Sequence, residues 1–446
     1  MTVSLLWTDM MIWGLVIALA AWGRLISRSI QVRKQWMQVF ESKVAMVAAI
    51  LLVFYVSIAL LDSIHFSQNG QASQSILDAL FSHLADSAER TYSAPFATVE
   101  YNRSMQVLPS GEVAQVYLPL VNIDPAASVW QQSLLAMVLG LLIGTVFIGK
   151  HLWWRSRQYG EGFSAYALKV WREETRLPWR TAYATILVVI LFFSWLYVLS
   201  FSYHVLGTDK VGGDVLYESL KSIRTGVLIG VLTTLVMLPV SLILGISAGL
   251  FKGWVDDVIQ YLYTTLNSIP GVLLIAAAVL VMQVVMNNHP DWFSTTEERA
   301  DVRLLFLILI LGMTSWTGLC RLLRAETLKI SQIEFVTAAR AFGVSRFKII
   351  GRHIMPNVMH IVLIAVVLDF SGLVLAEAVL SYVGVGVDPT MHSWGNMINQ
   401  ARLEMAREPM VWWSLFSAFF FMFILVLAAN LFSDRVQQVL DPRGHK

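Results

Sequence analysis

Long apolar runs separated by short polar segments dominate this chain of 446 residues. A helix needs about 20 apolar residues to cross a hydrocarbon core of ~30 Å. Nine such runs stand at roughly 10–26, 44–61, 130–149, 181–200, 225–250, 259–286, 303–320, 358–380 and 411–431. The pattern predicts an all-α, polytopic integral membrane bundle. One polar segment, 62–129, is long and lacks a strong period. Within it, Ser75 to Ala88 reads as an amphipathic helix. The strand-like runs Gln106–Leu108 and Ala114–Leu118 flank the turn signal Pro109-Ser110-Gly111, so a small hairpin is expected. Loops of this length are commonly functional, and a small ordered cap is the expectation.

Composition agrees: 57% of residues are hydrophobic and 14% charged, against about 25% charged in soluble proteins. The single cysteine, Cys320, excludes an intrachain disulfide framework and a cysteine-rich metal site. It falls at a span end, where packing is its expected role. With the first residues outside, the cytoplasmic segments are 24–43, 150–180, 251–258, 321–357 and 434–446. They carry 23 of the 32 Lys and Arg residues, as basic cytoplasmic loops require. Segment 62–129 carries seven acids against Arg90 and Arg103. Asp9 precedes the first run, while Arg24, Arg28, Arg33 and Lys34 follow it, the reverse of a signal peptide's charge order. A retained anchor with its N-terminus outside is expected. The Trp- and Arg-rich linker 150–180 reads as a membrane-interface segment meeting lipid headgroups, not as a nucleic-acid surface.

The most informative polar island is Glu334 to Asn357 (EFVTAARAFGVSRFKIIGRHIMPN). Ser331 lies three residues before Glu334, which fits a capping box opening a helix near Gln332. Phe335, Ala338, Ala339 and Phe342 share one helical face, and the alanines let another backbone approach closely. Gly343 suits the left-handed end of a helix. Ser345 caps a second helix running into Ile354, and Pro356 opens the next span. Arg340, Arg346, Lys348 and Arg352 hold the element out of lipid. From these residues alone, a partner-docking element and an unpartnered surface hairpin are equally good readings.

The island resembles the EAA loop of ABC-importer permeases, E-x-x-x-A-A-x-x-x-G followed by I-x-x-x-H-x-x-P. Glu334, Ala338, Ala339 and Gly343 match the first part; Ile349, His353 and Pro356 match the second. The stretch His204 to Asp209, with Asp214-Val215-Leu216, is similar to a segment of the C-type dipeptide and oligopeptide permeases. There Gly213 stands where that family has arginine, so any gate role of that arginine is in doubt here. The runs Leu380 to Gly386, Ser393 to Met397 and Asp441-Pro442-Arg443 also resemble that family. The glycines of the first permit a tight re-entrant path, and Trp394 is expected at a membrane interface. The resemblance covers about 181–446 and implies a six-span core, 181–433, with its coupling loop at 331–357 and a cytoplasmic tail, 434–446. Residues 1–180 are a departure, adding about three spans, the 62–129 insertion and the basic linker. The resemblance further implies a coupling helix seated in a cytoplasmic ATPase, carried by Glu334, Ala338, Ala339, Arg340, Gly343, His353 and Pro356. Implied partners are two ABC ATPases holding ATP and Mg²⁺, a second permease and a periplasmic substrate-binding protein. The expected place is a bacterial cytoplasmic (inner) membrane.

No cofactor or metal is expected on this chain, and no catalytic residue. Gly144 to His151 fits a P-loop only up to its last residue and lies in an apolar helix, so no nucleotide site is expected. Asp369 and Glu377 are the intramembrane acids; such groups usually face a bundle interior or water. Asp369 reads either as a path residue for a cationic solute or as the buried partner of a neighbouring subunit's amide or hydroxyl. Pro270 is a path-facing hinge or a packing kink. Asp209 and Asp214 are gate residues or turn residues at the membrane surface. His360 is expected near the inner interface. The rivals to a permease are a secondary transporter using Asp369 and Glu377 as a proton relay, a membrane enzyme, and an exporter with the same coupling loop.

Overall fold

The computed structural model describes residues 2–4, 6–26, 30–67, 74–85, 87–107, 113–293 and 295–440. Pro109-Ser110-Gly111 and Asp441-Pro442-Arg443 lie outside the described residues, as does the side chain of His360. In chain order the helices are α1 (Trp7–Ile26), α2 (Ile30–Phe40), α3 (Lys43–Asp62), α4 (Ile76–Leu80), α5 (Ser82–Ala85), α6 (Val129–Tyr159), α7 (Phe163–Trp171), α8 (Trp179–Leu199) and α9 (Val215–Phe251). They continue as α10 (Trp254–Ser268), α11 (Gly271–Asn288), α12 (Thr296–Ile330), α13 (Glu334–Ala341), α14 (Arg346–Ile349), α15 (Met355–Tyr382), α16 (Trp394–Glu404) and α17 (Trp413–Leu440). Among the described residues, eight helices are long and apolar enough to cross a membrane, and α1 holds a shorter apolar stretch, Trp7–Ala18. The all-α membrane fold with an added N-terminal part is as the pattern predicts.

The chain forms two compact units. The first comprises residues 1–4, 22–225 and 392–432. Here α6 packs along α8 through a small-residue stripe: Ala136, Gly140 and Gly144 are buried, and a Cβ on Gly140 or Gly144 would meet Leu191 or Leu187. Small residues let membrane helices approach without a hydrophobic driving force. The Ser194 hydroxyl donates to the Ala136 carbonyl at 2.9 Å, and the Trp195 indole to Ser133 at 3.0 Å. The Gly144–His151 stretch is continuous helix here, without the loop that a phosphate cradle needs. α6 also runs ten residues past the expected span end, into the linker.

The 62–129 segment is ordered around short elements. Ser75 caps α4 with a reciprocal capping box to Asp78, so the single expected helix 75–88 is two short ones, α4 and α5. The hairpin is present, as β4 (Ser104–Val107) antiparallel to β5 (Val113–Val116). A three-stranded sheet joins β1 (Thr2–Ser4), β2 (His65–Ser67) and β3 (Gln74–Ser75).

The second unit comprises residues 5–21, 226–391 and 433–446. Its axis is α12, with Arg303 towards one end and Arg324 towards the other. Arg303 pairs with Asp388 at 2.9 Å and Arg324 with Asp256 at 2.7 Å, and the rise between the two arginines is about 31 Å, one hydrocarbon thickness. The expected sixth span, 259–286, is instead two helices, α10 and α11, separated at Ile269-Pro270. Proline lacks the N–H that would continue α10, and Ile269 takes an extended conformation. Cys320 is fully buried in a core with Tyr263, Trp316, Leu323 and Val362, as a packing residue should be.

Candidate functional site: the inner polar island and the outer motif

The first helix of the island, α13, begins at Glu334, not near Gln332. Ser331 still belongs to the end of α12: its N–H donates to the Thr327 carbonyl at 2.8 Å and its hydroxyl to the Leu328 carbonyl at 2.7 Å. It therefore cannot cap α13, whose N-cap is Ile333 with no side-chain bond. The expected capping box is corrected by this competition from the preceding helix. α13 ends at Gly343 (φ +75°), where the Val344 N–H reaches back to the Ala339 carbonyl at 3.1 Å. Ser345 stands at the N-cap position of α14 but makes no side-chain cap bond, and the α-helix it precedes ends at Ile349 rather than running to Ile354. A π-helical turn, Ile350–Ile354, joins α14 to α15 directly before Pro356, whose ring would crowd the carbonyl of Arg352 in a regular helix.

Three apolar anchors, Val336, Ile349 and Ile354, are buried in the core beneath the island. Ala339, Val344, Ile350 and Met355 pack partly against the same core, and most of the remaining island residues face out. Glu334, Phe335, Ala338, Arg340 and Gly343 are exposed, Ala339 is half-buried, and Phe342 and Phe347 are 88% and 81% exposed. His353 packs its ring on Phe335, with centroids 5.6 Å apart, and Pro356 is exposed at the start of the span. Arg346 lies over the Phe251 ring at 5.2 Å, while Arg340, Lys348 and Arg352 are exposed. The result is a two-aromatic apolar patch among cations on an anchored helix pair. Exposed aromatics of this kind mark protein-contact surfaces. The face inferred from the 3.6 period is thus the outward face. Val336 and Phe347, one an anchor and one a patch residue, were not singled out by that period.

The outer motif is arranged oppositely. The Thr208 carbonyl accepts the Trp413 indole N–H at 2.9 Å. Asp209 accepts the N–H groups of Val211 and Gly213 at 3.0 and 2.7 Å, forming a turn. Asp214 accepts from Leu216 and Tyr217 at 2.9 and 3.1 Å, at the start of α9, and takes His204 Nδ1 at 2.7 Å. His204 Nε2 faces Glu89 at 3.6 Å, and Glu89 also accepts the backbone N–H of Asn122 at 2.7 Å. Burial alone would pull the His204 pKa down, but the Asp214 hydrogen bond and charge, with Glu89, outweigh it and hold the imidazole above its ordinary value. Burial pushes the Asp209 and Glu404 carboxyls up. The 62–129 segment supplies the cover. Tyr92 donates to Glu404 at 2.8 Å, and Lys221 pairs with Asp78 at 2.7 Å and Asp62 at 3.2 Å. At Gly212 (φ +82°) the cover is so close that a Cβ would land on the Glu89 carbonyl.

Trp394 corrects another expectation. It is 1% exposed and donates to the Ser219 carbonyl at 3.2 Å, so it is a core residue and not an interface anchor. Gly384 and Gly386 do form a tight turn after α15, against Ser381. Glu377 is buried and accepts the Ser381 hydroxyl at 2.7 Å. Asp369 is half-buried and makes no hydrogen bond to a described residue. Pro270 and the non-helical backbone beside it are exposed. Asn267, just before the break, accepts the Thr317 hydroxyl at 3.0 Å, which puts the break about 10 Å inside Arg324 along α12. Non-helical backbone at that depth has to be covered by protein or wetted. Asp209 and Asp214 lie in the first unit, and Pro270 and Asp369 in the second.

A family model described as the binding-protein-dependent transport system inner membrane component matches residues 241–446. The chain is 30% identical over 242 residues to the glutathione transport system permease protein GsiD of Pectobacterium atrosepticum, covering 54% of this chain and 73% of that protein. It belongs to this permease family. The same share of the chain, 54%, is 31% identical to the oligopeptide transport system permease protein OppC of Mycobacterium tuberculosis, over 76% of that protein. It is 28% identical to the dipeptide transport system permease protein DppC of Bacillus subtilis, over 69% of that protein. The inner island lies inside the match to the permease family model, and the outer motif and its cover lie outside it.

Proposed function

We propose that this permease forms, with a second permease, the path of an ATP-driven importer for short peptides. The names of its relatives support peptides as the solute class. The observation that carries the reading is the outward patch of Phe342 and Phe347 among arginines, on helices anchored by Val336 and Ile349. In this reading two ABC ATPases, which hold the ATP and Mg²⁺, receive Glu334, Ala338, Ala339, Arg340, Gly343, His353 and Pro356 at the coupling surface. ATP binding draws the coupling helices together and rocks the spans between inward and outward access. This chain carries no nucleotide site of its own. A periplasmic binding protein delivers solute at the outer side.

Residues 1–180 act as an extension, 181–433 as the six-span core and 434–446 as a cytoplasmic tail. The membrane is a bacterial cytoplasmic membrane, with the N-terminus outside and the C-terminus inside. The pairing of β1 with β2 supports two crossings between them. Pro270 and Asp369 face the path or the second permease, and the exposed break at membrane depth supports that. Asp209, Asp214 and Glu377 shape the outer end through turns and caps.

The test is affinity purification of the tagged protein in mild detergent, wild type beside Gly343→Asp. Wild type is expected to bring two ATPases and a second permease, and the variant to lose the ATPases alone. Purification of wild type without any ATPase, with solute movement on a proton gradient, would overturn the assignment.

A further inference from the structure

A groove of about 760 Å³ opens in the first unit, on the side of α8 away from the tight α6 stripe. Its floor is one face of α8: Ile186, Val189, Ile190, Phe193 and Tyr197. One wall is α3, contributing at helical spacing from Met46 to Leu61; the other is Ile143 and Phe147 of α6. Leu77 and Leu80 of α4 close one end, and Phe40 stands at the other. All three helices are long and apolar enough to span a membrane.

Three polar side chains line the groove, and each bonds within the protein. Ser57 donates to the Val53 carbonyl, Ser194 to Ala136 and Tyr197 to Leu80. No lining group asks an occupant for a hydrogen bond, so the occupant is hydrocarbon. The α3 wall, from Met46 to Leu61, is about 22 Å long. At the Phe40 end, α3 and α8 begin with Lys43 and Arg180, which share Glu173 at 2.7 and 3.9 Å, while Arg176 pairs with Glu41 at 2.7 Å. These three cations are at least half exposed against two acids, an excess of positive charge beside the starts of α3 and α8.

We propose that the groove between α3, α6 and α8 is a binding site for one anionic phospholipid, its acyl chains along α8 and its phosphate at Lys43 and Arg180. The lipid lies over the seam where α3 and α8 meet through Phe54 and Phe193, whose ring centroids are 4.3 Å apart.

The full-length protein is reconstituted with phosphatidylglycerol carrying a diazirine on one acyl chain, irradiated and digested. Adducts concentrated on Ala49–Ile58 and Ile186–Phe193, several-fold above the outward face of α6 (Leu134, Val138, Leu142), are the expected result. In native mass spectrometry one retained phospholipid is expected on wild type and none on Lys43→Glu/Arg180→Glu. Even labelling of all lipid-facing helices overturns the site. So does retention that is equal in wild type and variant, or a co-purified single-span protein labelled in place of the lipid. Phosphatidylcholine bearing the same diazirine separates the headgroup from the chains: labelling equal to phosphatidylglycerol overturns the anionic part.

Discussion

Two glycine-centred turns in this permease have the same backbone sign and opposite surroundings. Gly343 has φ +75° and open space where a Cβ would go; Gly212 has φ +82° and a carbonyl where a side chain would go. One turn ends a helix that the described residues leave uncovered. The other is already covered, by a segment of the same chain. A left-handed glycine by itself therefore says nothing of docking; what decides is whether the chain supplies the lid.

The sharpest way to break this comparison is to add one methyl group to each turn. Gly212→Ala should cost about 3 kcal/mol or more, combining left-handed strain with overlap on Glu89, and should collapse the outer cover. Gly343→Ala should cost about 1 kcal/mol, with no loss of folding. Thermal unfolding in detergent reads both, and equal losses would erase the distinction. Next in size is Phe342→Ala. Its ring is solvent-exposed, so stability should hold, while ATPase retention should fall roughly 30-fold, about 2 kcal/mol, if the patch is a binding hot spot. Unchanged retention would move the coupling surface elsewhere.

Acid–base behaviour sharpens the outer half. His204 has its pKa raised by folding, so its contribution is complete below the ordinary histidine value, about 6.5. That contribution is lost as pH rises through the raised value. Hydrogen exchange of 87–107 and 204–216 should quicken on going from pH 6 to pH 9 beyond the intrinsic rate, and His204→Gln should flatten the response. The smallest effect is Tyr92→Phe, which leaves Glu404 without its phenol donor and should cost about 1 kcal/mol, seen as faster exchange over 91–101 alone.

The inner surface was largely legible because its code is local. Helix period, Gly343, Ser345 and Pro356 lie within one short stretch, and their backbone consequences followed. What failed there was a competition between neighbours: Ser331 fits a cap by spacing, but α12 holds it first. The outer side was legible only in part. The excess acid of 62–129 was visible, yet its partners Lys221 and His204 sit more than a hundred residues on, at the mouths of later spans. Trp394 misled for the same reason, since an indole near a membrane edge looks alike whether it faces headgroups or the Ser219 carbonyl. The membrane groove leaves no sequence mark, because its lining is the same apolar alphabet as any lipid-facing helix.

The bond between Tyr92 and Glu404 joins positions 312 residues apart. The loop made early therefore cannot close through this bond until the chain has been synthesised through α16. Closure entropy for so long a separation is met only when the far partner is already held in place. The outer cover is thus a late event in biogenesis. Until α16 is in place, the acidic segment lacks this bond and stays open to proteases, so its resistance to cleavage marks a chain made almost to its end.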